Sequence, residues 1–234
     1  MLIIIKKIMS LINQIIKKNR RLLKWLVKIF CRLNNYSYHK VSEYAGYLEN
    51  DIHPKHRITN YHQFFIDHIK PGDSILDLGC GNGYLSYDLA KKARKVVGID
   101  HQRYLIESAK ANYKSDNLEF IIGDINTYNF KNKFDKIVLS NVLEHIEDRV
   151  NFLKRIYDLS DIILLRVPME DRDWLTIYKK NNNLEYRLDE THFIEYRLDS
   201  LKPELEAAGC VLLSYQINWG ELWGVVGKKY YGQK

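Results

Sequence analysis

One short stretch narrows what this chain can fold into. Residues 75–83 read Ile-Leu-Asp-Leu-Gly-Cys-Gly-Asn-Gly, an apolar run that breaks into three glycines at alternate positions just before a helical stretch from Tyr84. The run suits a β-strand, and glycines so placed suit a tight turn where a backbone without Cβ lets a ligand come close. Around it, β-rich runs at 74–78, 95–99, 118–122, 134–139 and 161–167 alternate with helical stretches from 84, at 102–113 and near 148–159. That alternation predicts right-handed crossovers and a mostly parallel sheet covered on both faces, a doubly wound α/β fold. Towards the end, a helix over 198–208 stops at Gly209. Two β runs, 211–217 and 222–227, then flank 218–221 and predict an antiparallel hairpin.

The spacing of the glycines discriminates between ligands. A dinucleotide turn needs G-x-G-x-x-G, and its third glycine position is Tyr84; a phosphate-binding loop needs G-K-[ST], which is absent. Here Asp77 precedes the glycines, and the next strand ends in Val97-Gly98-Ile99-Asp100, offering a carboxylate for both hydroxyls of a ribose. The turn therefore predicts a nucleoside ligand rather than a pyrophosphate.

These residues resemble the class I S-adenosylmethionine-dependent methyltransferases over roughly residues 55–228. Four landmarks carry the resemblance: Asp77-x-Gly79-x-Gly81-x-Gly83, Asp100, Gly123-Asp124-Ile125 after the third strand, and Phe134-Asp135-x-Ile137-Val138 in the fourth. The resemblance implies a Rossmann-like seven-stranded sheet with N-terminal helices, and S-adenosylmethionine as cofactor. It implies that Gly79 and Gly81 make way for the methionine part, Asp100 binds the ribose, and Asp124 faces the adenine amino group with Ile125 flanking the ring. Asp77, Cys80, Gly83, His101 and Asn141 complete the implied cofactor site.

A sulfonium is an activated methyl donor, so placing the acceptor does much of the catalysis, and a base adds more where a hydroxyl must lose its proton. Ligands of open parallel sheets bind beyond the carboxyl ends of the strands. Two histidines leave those ends, His145 in the segment 140–148 and His192 in 189–195, and both are candidate bases. Glu144 stands beside the first. The run Leu143-Glu144-His145 is similar to that of ubiquinone-biosynthesis-type O-methyltransferases and of small-RNA 3′-end methyltransferases, where glutamate and histidine can hold a divalent metal. The fuller pattern has an acid at position 141, and Asn141 departs from it, so no metal ligand is assigned. His145 can equally be an orienting residue near the cofactor, Glu144 a loop support, and His53, His56, His62 and His68 lid or packing residues. Trp174, Tyr178, Trp219 and Trp223 offer an aromatic wall for the acceptor or ordinary core.

Charge divides the chain. Residues 1–42 carry ten basic side chains and no acid, so against a net +7 the other 192 residues sum to −3. Apolar residues at spacings of three and four over 2–33 predict a basic amphipathic helix, one that either lies on an anionic membrane surface or packs on protein. The expected organisation is a leader over 1–42, a helical lid over 43–70 and the cofactor-binding domain over 71–234. The longest uncharged stretch, 207–220, is too short to span a bilayer, and three scattered cysteines favour a reducing, cytoplasmic setting, with peripheral membrane attachment open. The base-methylating [DNS]-P-P-[YFW] signature is absent after the fourth strand, where Ser140-Asn141-Val142-Leu143 stands. With an acidic body, this argues against a nucleic-acid acceptor and for an oxygen nucleophile on a small molecule, lipid or saccharide. The long connection 168–199 is expected to shape that acceptor's pocket, and Arg166, Arg172 and Arg187, mixed with acids and aromatics, suit a polar acceptor such as a sugar or a phenol. An RNA-end methyltransferase, a non-catalytic sensor of the donor and a nicotinamide oxidoreductase remain as alternatives.

Overall fold

The computed structural model describes residue 14 and residues 16–49 and 52–228. The described chain divides into two compact units, one of residues 1–54 with 175–188, the other of 55–174 with 189–234.

In the first unit, α1 (Arg20–Leu48) starts at Asn19, whose side chain accepts Leu22 N at 3.1 Å. It runs straight through the composition change at 42, because no proline interrupts it and the residues around 42 are all compatible with a helix. The expected leader over 1–42 thus overlaps α1, and its residues 1–13 and 15 lie outside the described residues. Cys31 is buried. Part of the 168–199 connection belongs to this unit: Lys179 Nζ donates to Asn34 Oδ1 at 2.8 Å and to Asn35 Oδ1 at 2.6 Å, and Asn35 Nδ2 to Glu185 O at 3.0 Å.

The second unit opens with two short helices, α2 (Lys55–Thr59) and α3 (Tyr61–Asp67), and then alternates as expected: β1 (Ser74–Leu78), α4 (Tyr84–Ala90), β2 (Lys95–Asp100), α5 (Arg103–Asn112), β3 (Leu118–Ile122), β4 (Lys136–Ser140), α6 (Arg149–Tyr157) and β5 (Ile162–Pro168). After α7 (Trp174–Asn181) come α8 (Leu198–Ala207), β6 (Cys210–Asn218) and β7 (Glu221–Lys228). The seven strands lie in the order β3-β2-β1-β4-β5-β7-β6, parallel except for β7, which pairs antiparallel with both β5 and β6. The terminal hairpin is therefore present, with β7 inside and β6 at the edge.

Side chains alternate across the strands as a two-residue period demands. Ile75, Val96, Val138 and Leu164 point to one face, against Phe65, Leu85 and Leu89. Leu76, Leu78, Ile99, Ile137, Leu139 and Leu165 point to the other, against Phe152, Ile156, Leu201 and Leu205. Each such burial contributes about 1.5–3 kcal/mol, so both faces hold the sheet rigid. The chain winds outward from β1 to β3, then returns to β4 on the other side of β1. At that reversal the loops leaving the parallel strands diverge and open a crevice.

Candidate functional site

A cleft of about 800 Å³ lies beyond the carboxyl ends of β1, β2 and β4, a size suited to a nucleoside plus a small acceptor. At one end it is lined by Gly79, Gly81, Asp100, His101, Asp124 and Ile125, at the other by His145, Ile146, Asp189, Thr191 and Phe193, with Asn141 and Val142 also on its wall.

The glycines have different tasks. Gly81 sits at φ +56° with open space where a Cβ would project, so the backbone is bare towards the cleft. Gly83, at φ +80°, caps α4, and a Cβ there would come within 2.5 Å of Phe120 and 2.9 Å of Ala109. It is required for packing and does not line the cleft. Asp77 and Cys80 are likewise behind the wall. Asp77 is buried and accepts Ser86 Oγ at 2.5 Å, and burial pushes its carboxyl up to about 7. Burial also raises the Cys80 thiol far above its ordinary value, leaving it an inert packing group.

Asp100 ties the turn to the second strand. Its Oδ2 accepts Gly81 N at 3.0 Å and its Oδ1 accepts Gln102 N at 2.9 Å, which leaves lone pairs on both oxygens for a ligand's hydroxyls. His101 is exposed, with Nδ1 3.5 Å from Asp100 Oδ1. Asp124 accepts Asn126 N and Nδ2 at 2.8 and 3.1 Å, a local turn that fixes it at the rim. Asn141 stands at φ +56°, an uncommon conformation for a residue with a side chain, and its Oδ1 is buried without a hydrogen-bond partner. An uncommon backbone conformation together with an unsatisfied buried acceptor marks the cleft wall at Asn141 as a functional candidate. The bare Gly81, the two-handed Asp100 and Asn141 fit an adenosyl ligand.

At the other end, β4 leads into a single tight turn, Leu143–His145, that puts Glu144 inside and His145 at the cleft. The segment 189–195 returns to meet it, with Phe193 N donating to Glu144 O at 2.8 Å. The rings of His145 and His192 cross at 77° with centroids 4.6 Å apart. Glu144, His145 and His192 can each bring one ligand atom within 4.8 Å of the others. Glu144 is fully buried and neither carboxylate oxygen has a partner. Burial raises its carboxyl to about 8, and lowers His145, which His192 depresses further. His192 is buried, its Nδ1 3.2 Å from Glu195 Oε1, and Glu195 is paired with Arg172. Two imidazoles and an orphaned carboxylate are a donor set that fits a divalent cation, even with Asn141 in place of an acid.

Sequence reasoning missed Asp189 and Thr191 as parts of the site. Short polar residues in a long connection carry no signal until the fold shows what they face. It also counted Arg166 among the basic residues suited to a polar acceptor, whereas Arg166 does not line the cleft. Arg166 is buried and bidentate on Glu221 at 2.7 and 2.9 Å, reaches Ser140 Oγ at 3.2 Å and lies 3.6 Å over the Tyr61 ring. A lone arginine in the apolar run of β5 was the available clue. Arg172 and Arg187 are spent on Glu195 and Glu185. Trp174 and Trp219 are exposed, Trp223 is core, and none of the three lines the cleft. His62 is buried, with Nδ1 2.6 Å from Asp88 and Nε2 2.9 Å from His56 Nδ1.

Residues 69–172 match a family model described as a methyltransferase domain. Over 117 residues the chain is 37% identical to a ribosomal protein L11 methyltransferase of Thermosipho africanus, a match covering 46% of this chain and 44% of that one. Over 87 residues it is 36% identical to the mitochondrial ubiquinone biosynthesis O-methyltransferase of Schizosaccharomyces pombe, covering 35% and 32%. The chain thus matches less than half the length of these relatives. Among solved structures, magnesium protoporphyrin IX methyltransferase of Synechocystis PCC 6803, with bound SAH, superimposes with a TM-score of 0.59 at 18% identity over 73% of this chain and 81% of that one. At that identity the likeness concerns the fold. Together these findings bear out the resemblance to the class I S-adenosylmethionine-dependent methyltransferases and the Rossmann-like sheet.

Proposed function

We propose that this protein, which carries a class I S-adenosylmethionine-dependent methyltransferase domain, binds that donor in the cleft and methylates a hydroxyl oxygen of a small molecule, lipid or saccharide. One observation carries the reading: a single cleft holds Gly81, Asp100 and Asp124 at one end and His145 at the other. When bound, the donor supplies a methyl group already activated on a sulfonium. Asp100 holds the ribose hydroxyls, Asp124 and Ile125 hold the adenine, and Asn141 forms the wall between the two ends of the cleft. His145, whose charged form is disfavoured by partial desolvation and by the neighbouring His192, takes the acceptor's proton, a contribution of about 10² to 10⁴ in rate. Were a divalent cation held by Glu144, His145 and His192, it would occupy the lone pair of His145 and supply the acidification of the acceptor hydroxyl in place of His145 acting as base. The likeness to a ubiquinone biosynthesis O-methyltransferase supports an oxygen acceptor.

The cleft also supports a compact acceptor over a nucleic acid. Its lining includes three carboxylates, Asp100, Asp124 and Asp189, and no lysine or arginine among the described residues, so a phosphate backbone meets repulsion there. The anionic partner belongs elsewhere. On α1, Trp25, Phe30, Leu33 and Tyr36 are exposed beside Arg21, Lys24, Lys28 and Arg32, an apolar stripe flanked by cations that suits an anionic membrane surface and a peripheral location. No helix of the described residues is long and apolar enough to cross a membrane.

Calorimetry with S-adenosylmethionine and NADH tests the cofactor, and tighter binding of NADH would overturn the assignment. Methyl transfer from labelled donor into fractionated cell extract, lost in His145→Ala with donor affinity retained, tests the reaction.

A further inference from the structure

Behind His145 lies a short polar chain that the proposed reaction does not yet use. Thr191 N and Thr191 Oγ1 both donate to Asp189 Oδ1, at 2.8 and 2.7 Å. Thr191 Oγ1 also lies 2.9 Å from Nδ1 of His145. Burial acts to raise the Asp189 carboxyl, but the hydrogen bonds from Thr191 prevail and hold it below the usual carboxylate range. It is therefore ionised and can only accept. A hydroxyl has one hydrogen, and that of Thr191 is committed to Asp189. The hydrogen in the contact with His145 must then sit on the ring.

We propose that Asp189 and Thr191 are positioning residues that hold His145 as its Nδ1–H tautomer and leave the Nε2 lone pair for the cleft. The inference deepens the reading above, on which its functional meaning rests. In that reaction the hydroxyl proton passes to Nε2, the oxygen–carbon bond forms as the sulfur–carbon bond breaks, and the imidazolium later releases the proton to solvent. The opposite tautomer would present an N–H to the acceptor and could take nothing from it. The same arrangement serves a cation, which also needs an unprotonated ring nitrogen oriented by an acceptor behind it. The bond from Phe193 N to Glu144 O fixes the backbone two residues beyond Thr191, so the hydroxyl is delivered to the ring by the main chain.

The two links make separable predictions. Thr191→Val keeps the side chain's shape but removes the hydroxyl, so Nδ1 loses its acceptor and the ring becomes a mixture of tautomers. Asp189→Ala frees the Thr191 hydrogen to be given to Nδ1, so the ring switches to Nε2–H. Thr191→Ser restores the wild-type state. The experiment is a two-bond ¹H–¹⁵N correlation of the full chain with ¹⁵N-labelled histidine rings, at a pH where they are neutral, with the His145 signals assigned by their loss in His145→Gln. Donor affinity, read by calorimetry on the same samples, is expected to stay within about twofold of wild type for Thr191→Val, since neither link touches the adenosyl end of the cleft. Finding His145 as Nε2–H in the wild type would overturn the proposal, as would an unchanged tautomer in both Thr191→Val and Asp189→Ala. If the methyltransferase reading is wrong, the proteins either fail to bind the donor or bind it without transferring methyl, while the tautomer pattern is still read independently.

Discussion

Glu144 makes the protein's stability depend on pH in a direction opposite to that of an ordinary acid. Its carboxyl is fully buried without a partner, and burial lifts it from an ordinary 4.5 to about 8. Between these values the folded chain binds a proton that the unfolded chain has released, so stability falls as pH rises through that window. A gap of about 3.5 units, at about 1.36 kcal/mol per unit, gives an upper limit of about 5 kcal/mol, complete above about pH 8. That is a large part of the 5–15 kcal/mol that holds a typical domain together. Glu144→Gln keeps the shape and removes the titration. Urea unfolding of chelator-treated wild type and variant from pH 5 to pH 9 isolates the effect, because other titrating groups, Asp77 included, cancel in the difference. The wild type should lose stability relative to the variant by roughly 1 kcal/mol per pH unit, levelling off near pH 8. Adding a divalent cation should restore it in the wild type alone, with release of a proton. Parallel curves for the two proteins across the whole range would refute the reasoning.

Three further outcomes follow from the cleft and from α1. Gly81→Ala should cost only about 1 kcal/mol of stability yet weaken donor binding more than tenfold, whereas Gly83→Ala, driven into Phe120, should cost about 2–4 kcal/mol; calorimetry and thermal unfolding together separate the two. Asp100→Asn should lower donor affinity by about 10- to 100-fold, the equivalent of about 1.5–3 kcal/mol for hydrogen bonds to a charged group, measured by the same calorimetry. Replacing Trp25 and Phe30 by alanine should weaken co-sedimentation with phosphatidylserine vesicles, and raised salt should weaken what remains; binding insensitive to both would exclude the surface on α1.

The sheet was legible because its signals are local. A five- to seven-residue apolar run, a glycine turn and a capped helix each announce themselves within a dozen residues, and the crossover rule then leaves few ways to join them. The carboxylate at Asp100, proposed here for a ribose, was legible as a cleft residue for the same reason, since it ends a strand adjacent to the one feeding the turn. What escaped was whatever depends on the third dimension. Gly83 looks like a ligand glycine in sequence, and only Phe120 above it shows that it is a packing glycine. His145 and His192 were both visible as candidates, yet their meeting depends on how the 168–199 connection returns. Part of it joins α1 in the first unit, and its last residues come back to Glu144 through one backbone hydrogen bond. The boundary between leader and lid at 42 was drawn from charge, which sets where a helix binds and not where its backbone ends.

Two buried glutamates near the end of β5 explain the character of the site. Burial acts to raise both. Glu221 nevertheless titrates at about 2, because it takes two hydrogen bonds from Arg166 and an ion pair with Lys55 at 2.6 Å. Glu144 feels the same two cations but makes no contact with either, and stays at about 8. Glu221 wins because it lies on β7, the strand next to β5, where the antiparallel register pairs it with Pro168 and so puts it on the same face as Arg166, within reach of its guanidinium. A slip of one residue in that pairing would turn Glu221 to the opposite face and leave Arg166 buried without its partner, so the register and the ion pair stabilise each other. With the local cations committed, Glu144 has no charge of its own to neutralise it. It must keep a proton or be given a cation, and it does so beside an imidazole whose Nε2 the Asp189–Thr191 relay leaves unprotonated. Neighbouring groups whose environments drive their titrations apart are the arrangement from which proton transfer at neutral pH is built.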